Sequence, residues 1–519
     1  MSRMKPASRS VILIASISVA MTNASAQSLL WTHEGPNASA RFGDSIDVID
    51  DLDGDGARDV IVWASGGDCG GVRKGIAVVL SGKLGGVLFE SCGIDMSNFG
   101  LDIAAGSDVN GDGIPDYIAG AISDDTVFLD AGRAAICSGV DGAILRYHFG
   151  TSLSLLYGRS VAWIDDLDGD LISDYCVGAS DGLGLGRVDV FSGATGALLA
   201  TLTGDGSPRN FGVSCADVGD VNLDGIHDIA VGDSGAGNNG TNSGSVYLFS
   251  GADWSQLYRI DGEFKDYQLG NAVDGLGDID GDGCSDFIVG DRFFGYPKLL
   301  KGKFYVHSGK TGSLILAYEG VTSLGGCVAG LGDINLDGVP DYAVGESDFP
   351  YNQIGSVRLY SGWNGLELYR FEGDQQWANF GNSIAGGVDV TGDSKPEFLI
   401  GALTWSDGVD DVGRVSCYTL EKFFCTLEPE VVDELGYVDC QLAQTDPGKL
   451  AGVALVAVDG TPVFEFLVLT GADSLGRVFI DDAQIPTGTG GSTYTLRAYA
   501  IGFTGKLVSS TDVTLTVNP

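Results

Sequence analysis

Seven acidic nonapeptides recur along this chain at an almost constant spacing. They read DLDGDGARD from Asp51, DVNGDGIPD from Asp108, DLDGDLISD from Asp166, DVNLDGIHD from Asp220, DIDGDGCSD from Asp278, DINLDGVPD from Asp333 and DVTGDSKPE from Asp389. First residue to first residue, the steps are 57, 58, 54, 58, 55 and 56. So regular a period means one structural unit copied seven times. Upstream of each loop stands an apolar residue followed by glycine: Phe42-Gly43, Phe99-Gly100, Tyr157-Gly158, Phe211-Gly212, Leu269-Gly270, Leu324-Gly325 and Phe380-Gly381. Downstream come a short apolar run ending in small residues (117–121, 176–180), an alternating strand with a tight turn (186–193) and a fourth apolar stretch (197–202). Four short strands per repeat fit this spacing, and 81 glycines in 519 residues supply the turns.

Four-stranded units of this length arranged radially make a β-propeller, which leaves only short sheet edges exposed. Seven loops predict seven blades over residues 27–424. Residues 29–35 resemble the fourth strand of a repeat, whereas the last repeat lacks one after 413–418. The N-terminal strand is therefore predicted to complete the final blade and close the ring. From about residue 425 the repeat stops, and 425–519 show alternating apolar runs such as 453–458, 463–468, 494–499 and 513–517. These predict a small β-sandwich of immunoglobulin-like or fibronectin-like type. The fold class is thus all-β throughout.

The chain begins with Arg3, Lys5 and Arg9, then the apolar run 11–20, then Ala24-Ser25-Ala26. Residues 1–26 read as a signal peptide, because the apolar run is far short of the ~20 residues that span a bilayer. No second such run follows, so no membrane span is expected, and the mature protein is expected to be secreted, periplasmic or on the cell surface. Removing the leader takes the formal net charge from −41 to −44, which disfavours nucleic acid and anionic membranes as partners. Ten cysteines in an exported chain permit disulfides. Cys69 with Cys92 and Cys425 with Cys440 are the expected pairs, each closing a short segment. The other six sit mostly in apolar strand patterns and read as buried thiols.

The seven loops hold 24 carboxylates. Oxygens at positions 1, 3 and 5 project from a tightly turned backbone, position 7 offers its carbonyl and position 9 returns a carboxylate. Five or more hard oxygens around one point suit Ca²⁺ better than Mg²⁺, which demands octahedral regularity. An EF-hand is excluded at position 12, where it needs a bidentate Glu. Here the twelfth residues are Val62, Ala119, Val177, Val231, Val289, Val344 and Ile400, which belong to the next strand. Each loop is a strand-to-strand hairpin.

Phe-Gly, then Asp-x-Asp-x-Asp-Gly-x-x-Asp, then glycine- and alanine-containing strands resemble the FG-GAP repeats of integrin α-subunit propellers, across all seven repeats. The resemblance implies that such loops bind calcium and stiffen each blade. Asp51, Asp53, Asp55 and Asp59 match fully, as do Asp278, Asp280, Asp282 and Asp286. Asp108, Asn110, Asp112 and Asp116 carry an Asn exchange, as do Asp220, Asn222, Asp224 and Asp228, and Asp333, Asn335, Asp337 and Asp341. The third loop keeps Asp166, Asp168, Asp170 and Asp174 but has Leu171 where glycine relaxes the turn. The seventh departs furthest: it keeps Asp389 and Asp393, while Thr391, Ser394 and Glu397 replace a ligand, a glycine and the last Asp.

No catalytic constellation stands out. The four histidines, His33, His148, His227 and His307, have no partner histidine at ligand spacing, no G-x-S-x-G elbow occurs, and His227 is expected to point outward from its loop. Gly309-Lys310-Thr311 lacks the leading glycine of a phosphate loop and matches the hairpin turns SGKLG, SGVDG, SGATG and SGWNG of other repeats. Aromatic residues in the connections, Phe293, Phe294, Tyr296, Phe349, Tyr351, Trp363, Trp377 and Trp405, could meet a sugar or a protein partner, or pack between blades. The reading is an exported calcium-binding propeller that acts as a non-enzymatic adhesion or ligand-binding module, with an extracellular protein or glycan ligand. The alternative is a carbohydrate-active protein, either a lectin or a calcium-dependent polysaccharide lyase.

Overall fold

The structure, a computed structural model, describes residues 27–420 except 71, 74, 93–98, 181–185, 205–209, 296–300, 336, 348–353, 407 and 409, and beyond them the backbone of strands between 437 and 516. The expected leader lies outside the described residues, as does the side-chain pairing of Cys425 with Cys440. Within 27–420 stand seven four-stranded antiparallel sheets. Their inner strands are Phe42–Ile49, Phe99–Ala105, Tyr157–Ile164, Phe211–Asp217, Ala272–Gly277, Leu324–Gly332 and Phe380–Val388. Blade 3 typifies the meander: Tyr157–Ile164, Asp174–Ala179, Arg187–Phe191, then Leu198–Leu202 at the rim.

The second strand of every blade is covered on both faces by its neighbours, so it reads as a continuous apolar run rather than an alternating one. Asp174–Ala179, Asp286–Asp291 and Glu397–Ala402 are buried at every position. Each apolar cluster accordingly spans two blades; one joins Cys176, Val188 and Val190 of blade 3 to Cys215, Ile229 and Val231 of blade 4.

Blades approach most closely at glycine. Gly212 of the Phe-Gly pair has φ +83°, which an L side chain resists, and its carbonyl faces Gly178 on the preceding blade. A Cβ on Gly178 would lie 2.3 Å from that oxygen and 2.2 Å from Ser160 Oγ. Gly178→Ala should therefore cost about 3 kcal/mol through overpacking, read as a lower denaturant midpoint at unchanged slope. A variant as stable as the parent would show that the blades can move apart freely.

Polar stitches join the inner strands around a central channel of about 540 Å³. Asp47 accepts from Ala105 N at 2.8 Å, Asp102 from Val161 N at 3.0 Å and Asp274 from Gly330 N at 2.9 Å, each bond crossing to the next blade. Ser160, Ser214 and Ser383 donate in the same direction to the carbonyls of Gly212, Gly270 and Gly43.

The ring closes as expected. Gln27–Glu34 pairs antiparallel with Arg414–Leu420, from Gln27↔Leu420 to Glu34↔Arg414, as the outer strand of blade 7. The same strand grips blade 1: Trp31 is 9% exposed, and its Nε1 donates to Gly82 O at 2.7 Å. Cys69 and Cys92 form the expected disulfide within blade 1, while Cys137, Cys176, Cys215, Cys284 and Cys417 are buried cysteines and Cys327 is half-buried.

The later strands belong to a second compact unit. Leu450–Val458 pairs with Thr461–Gly471 and with Thr493–Ile501, which also pairs with Leu507–Ser509 and Val513–Thr516. Tyr437–Leu442 pairs separately with Val478–Gln484. Two antiparallel sheets are consistent with the sandwich expected there. No helix among the described residues is long and apolar enough to cross a membrane.

Candidate metal centres in the seven acidic loops

Each acidic loop joins the inner strand of its blade to the second. The first aspartate organises the turn. Asp51 Oδ1 accepts from Gly54 N at 2.7 Å and Asp55 N at 3.1 Å, and its Oδ2 accepts from Gly56 N at 2.8 Å. Asp108, Asp166, Asp220, Asp278, Asp333 and Asp389 each accept from the residue five places on at 2.7–2.9 Å. Against a small burial penalty, these backbone donors hold the carboxyls of Asp51, Asp108 and Asp166 below the ordinary range. Position 5 closes a smaller ring, as where Asp170 Oδ1 accepts from Ile172 N at 2.9 Å.

This turn requires left-handed backbone at positions 4 and 6, and the chain holds that conformation even without glycine. Leu171 has φ +73°, Leu223 +62° and Ser394 +66°. Leu171 is 89% exposed, so nothing packs it in place. Leu171→Gly should raise stability by about 1 kcal/mol by relieving left-handed strain. Chemical denaturation in calcium measures this, and a lower midpoint would mean the leucine does something other than strain the turn.

Position 9 is the residue whose role the spacing understated. Asp59, Asp116, Asp174, Asp228, Asp286, Asp341 and Glu397 are all 0% exposed. One oxygen of each accepts from the backbone N of loop position 2, from Leu52 at 2.8 Å through Val390 at 2.8 Å. In the six aspartates the other oxygen accepts from a glycine N in the outer hairpin of the blade: Gly82, Gly139, Gly193, Gly251, Gly309 and Gly362, at 2.8–3.2 Å. The ninth carboxylate thus locks the loop to the neighbouring turn besides facing its own acidic residues. The Ser-Gly pair recurring in those hairpins was the available signal. Blade 7 has no such hairpin, because its outer strand arrives from the N-terminus, and Glu397 Oε1 is buried without a hydrogen-bond partner among the described residues.

Burial, reinforced by like charges in the loop, pushes Asp59, Asp174, Asp228 and Asp286 up to about 6 and Asp341 to about 8. A buried carboxylate beside others is a place where a cation lowers the energy. Ligand oxygens of Asp51, Asp53 and Asp59 lie within 4.8 Å of one another, as do those of Asp166, Asp168 and Asp174, of Asp278, Asp280 and Asp282, and of Asp389, Asp393 and Glu397. The seventh loop therefore converges despite its substitutions. In loops 4 and 6 the amide at position 3 turns to the ninth aspartate, Asn222 Nδ2 at 3.5 Å and Asn335 Nδ2 at 3.2 Å. The structure thus brings the acids of loops 1, 3, 5 and 7 together, and these sets of hard oxygens fit a hard divalent cation.

The remaining candidates settle into structural roles. His227 is half-exposed rather than free: Nδ1 lies 2.9 Å from Asp217 Oδ2 and Nε2 3.6 Å from Asp165, so the ring bridges two acidic groups that the sequence does not place together. Its hydrogen bond to Asp217 raises its pKa. His148 stacks on Phe191 at 3.8 Å, and burial lowers it to about 4. Lys310 Nζ donates to Asp282 O at 3.2 Å, which places 309–311 in a hairpin beside loop 5.

In a four-stranded meander, the connections between strands 1 and 2 and between 3 and 4 lie at one end, and the others lie at the opposite end. Trp363 is on a 3–4 hairpin and so belongs with the acidic loops. Phe293, Phe294, Trp377 and Trp405 lie at the other end, although Trp405 is packed beneath Arg414 at 4.5 Å and Phe294 against Tyr267 at 4.9 Å. Tyr296, Phe349 and Tyr351 lie outside the described residues. Sequence reading missed the apolar residues exposed at that end: Val127, Phe128, Leu129 and Leu153. Ser154 N donates to Leu129 O, which joins the two segments.

No protein-family model matches the chain. Among curated proteins it is 31% identical over 180 residues to integrin alpha-3 of Cricetulus griseus, covering 31% of this chain and 17% of that protein. It is 30% identical over 219 residues to integrin alpha-5 of Xenopus laevis, covering 38% and 20%, and 31% identical over 172 residues to integrin alpha-6 of Gallus gallus, covering 30% and 15%. The matches thus span one fifth or less of these relatives. Seven blades, Phe-Gly pairs and acidic loops together with this identity are consistent with a propeller similar to that of integrin α subunits.

Proposed function

We propose that the protein is an exported, calcium-stabilised propeller acting as a non-enzymatic adhesion or ligand-binding module. The observation that carries this reading is a group of large apolar side chains exposed at the end of the blades opposite the acidic loops. One end holds the acidic loops locked by the ninth carboxylate. The other exposes Val127, Phe128, Leu129, Leu153, Phe264 and Trp377, each 47–60% accessible. Large apolar groups held out on a rigid scaffold support binding to an extracellular partner. The metal is Ca²⁺, held by positions 1, 3, 5 and 9 of the first six loops and by positions 1, 5 and 9 of the seventh, because oxygen-only sets with a flexible bidentate option suit its larger coordination shell.

Binding of the full-length mature protein to a broad glycan array, with calcium and again with chelator, tests this reading. A blank array, followed by capture of a cell-surface protein that is lost in a Phe128→Asp/Leu129→Asp variant, is the expected result. Calcium-dependent binding to one sugar class would overturn the protein-ligand reading in favour of a lectin or lyase, and a search for cleavage products would separate those two.

A further inference from the structure

The seven-fold repeat provides its own internal comparison at the interface between blades. The residue two places after the ninth position of each loop packs with the residue three places after the Phe-Gly glycine of the next blade. In six interfaces the two are aliphatic and share one apolar cluster: Ile61 with Ile103, Ile118 with Val161, Ala230 with Val273, Ile288 with Val328, Ala343 with Ile384 and Leu399 with Ile46. Only between blades 3 and 4 are both positions cysteine. Cys176 Sγ and Cys215 Sγ lie 2.9 Å apart in a buried setting, well inside the contact distance of two unbonded sulfurs. Two aliphatic groups serve this position elsewhere, so packing alone does not require the pair.

We propose that Cys176 and Cys215 form a disulfide that staples blade 3 to blade 4. This rests on the reading that the chain matures in an oxidising compartment, which the Cys69–Cys92 disulfide supports. Closure removes two protons and two electrons from the thiols and forms one S–S bond. The oxidant is the disulfide of a dithiol oxidoreductase. A thiolate of the pair attacks it to give a mixed disulfide, the second thiolate displaces the oxidoreductase, and that protein leaves as a dithiol carrying both electrons. Cys176 is fully buried and Cys215 is 9% exposed, so the exchange takes place before blade 4 seats on blade 3. The staple covalently fixes one blade interface near the middle of the ring, away from the non-covalent closure at blade 7.

The test uses the mature full-length protein, denatured in alkylating agent without reductant, digested and examined by mass spectrometry. The peptides carrying Cys176 and Cys215 should be joined, unalkylated and lighter by two hydrogens than their thiol forms together, and should separate on reduction. If both are alkylated while the Cys69 and Cys92 peptides remain joined, the staple does not exist although the compartment is oxidising. If all four are alkylated, the export reading fails along with it. Either cysteine joined to any other partner also overturns the proposal. A Cys176→Ala/Cys215→Val variant, which restores the Ala230/Val273 pairing found one interface on, identifies the peptides and should melt several degrees lower than the parent. Equal melting would mean that the link contributes no stability.

Discussion

Stripping calcium from the protein is expected to lower its Tm by on the order of 10–20 °C. Each loop saturated at free calcium 100-fold above its Kd contributes ~2.7 kcal/mol by mass action. A ring of this size melts ~1 °C lower for each kcal/mol lost, so seven loops acting on one cooperative unit reach that range. The shift depends on pH with a definite sign. Burial raises Asp59, Asp174, Asp228 and Asp286 to about 6, above the unfolded value near 3.9. Without calcium, the folded state keeps protons that the unfolded chain has released, and this contribution is lost as pH rises through 6. Calcium competes for the same oxygens. The difference in Tm between calcium-loaded and calcium-free protein should therefore shrink below pH 6 and be full only above pH 8, where Asp341 too is ionised. Equal shifts at pH 5 and pH 7.5, or no effect of chelator, would remove the structural role of the ion. Titration of calcium-free protein should give seven equivalents, and Asp280→Ala should cost more than Asp393→Ala, whose exposed carboxylate already pairs with Lys395 at 2.8 Å.

Trp31→Ala should destabilise the propeller by about 4 kcal/mol, the usual scale for truncating a buried aromatic. The indole fills the cluster between blades 7 and 1, donates to Gly82 O and lies against Gly85, where a Cβ would approach to 2.7 Å. Deleting residues 27–34 should do more. It uncovers Arg414–Leu420 as an open strand edge and removes the hydrogen bonds that close the ring. The expected readouts are a lower Tm for the point variant and self-association in size-exclusion chromatography for the deletion. A monomeric deletion variant with unchanged Tm would show that blades 1 and 7 hold together through side chains alone.

Blade count, strand order and ring closure were legible in the sequence because they rest on a local pattern repeated seven times, and the Cys69–Cys92 pair because it closes a short segment. The same redundancy exposed the exceptions at Leu171 and Ser394. What the sequence hid is long-range. That Asp59 also binds Gly82 N, 23 residues on, follows only once the outer hairpin folds back over the loop. His227 reads as a surface residue until Asp217 and Asp165 arrive from two different blades. The orphan oxygen of Glu397 follows from the missing hairpin of blade 7. The seventh loop looked depleted by its substitutions, yet the backbone cage around Asp389 holds its acids together regardless.

The outer strand of blade 7 is the first stretch of the described chain to be synthesised, and its partner Arg414–Leu420 is nearly the last of the propeller. Six blades can stack in order as they emerge, but the seventh cannot be completed until almost the whole ring exists. Until then the opening strand, which carries the exposed Leu29 and Leu30, has no sheet to join. The geometry therefore imposes an order of assembly: a growing arc with a free leading strand, then a single late event that turns the arc into a ring. A chain that folds this way is most vulnerable to proteases and to its own copies in the interval before that event, and fully protected only after it.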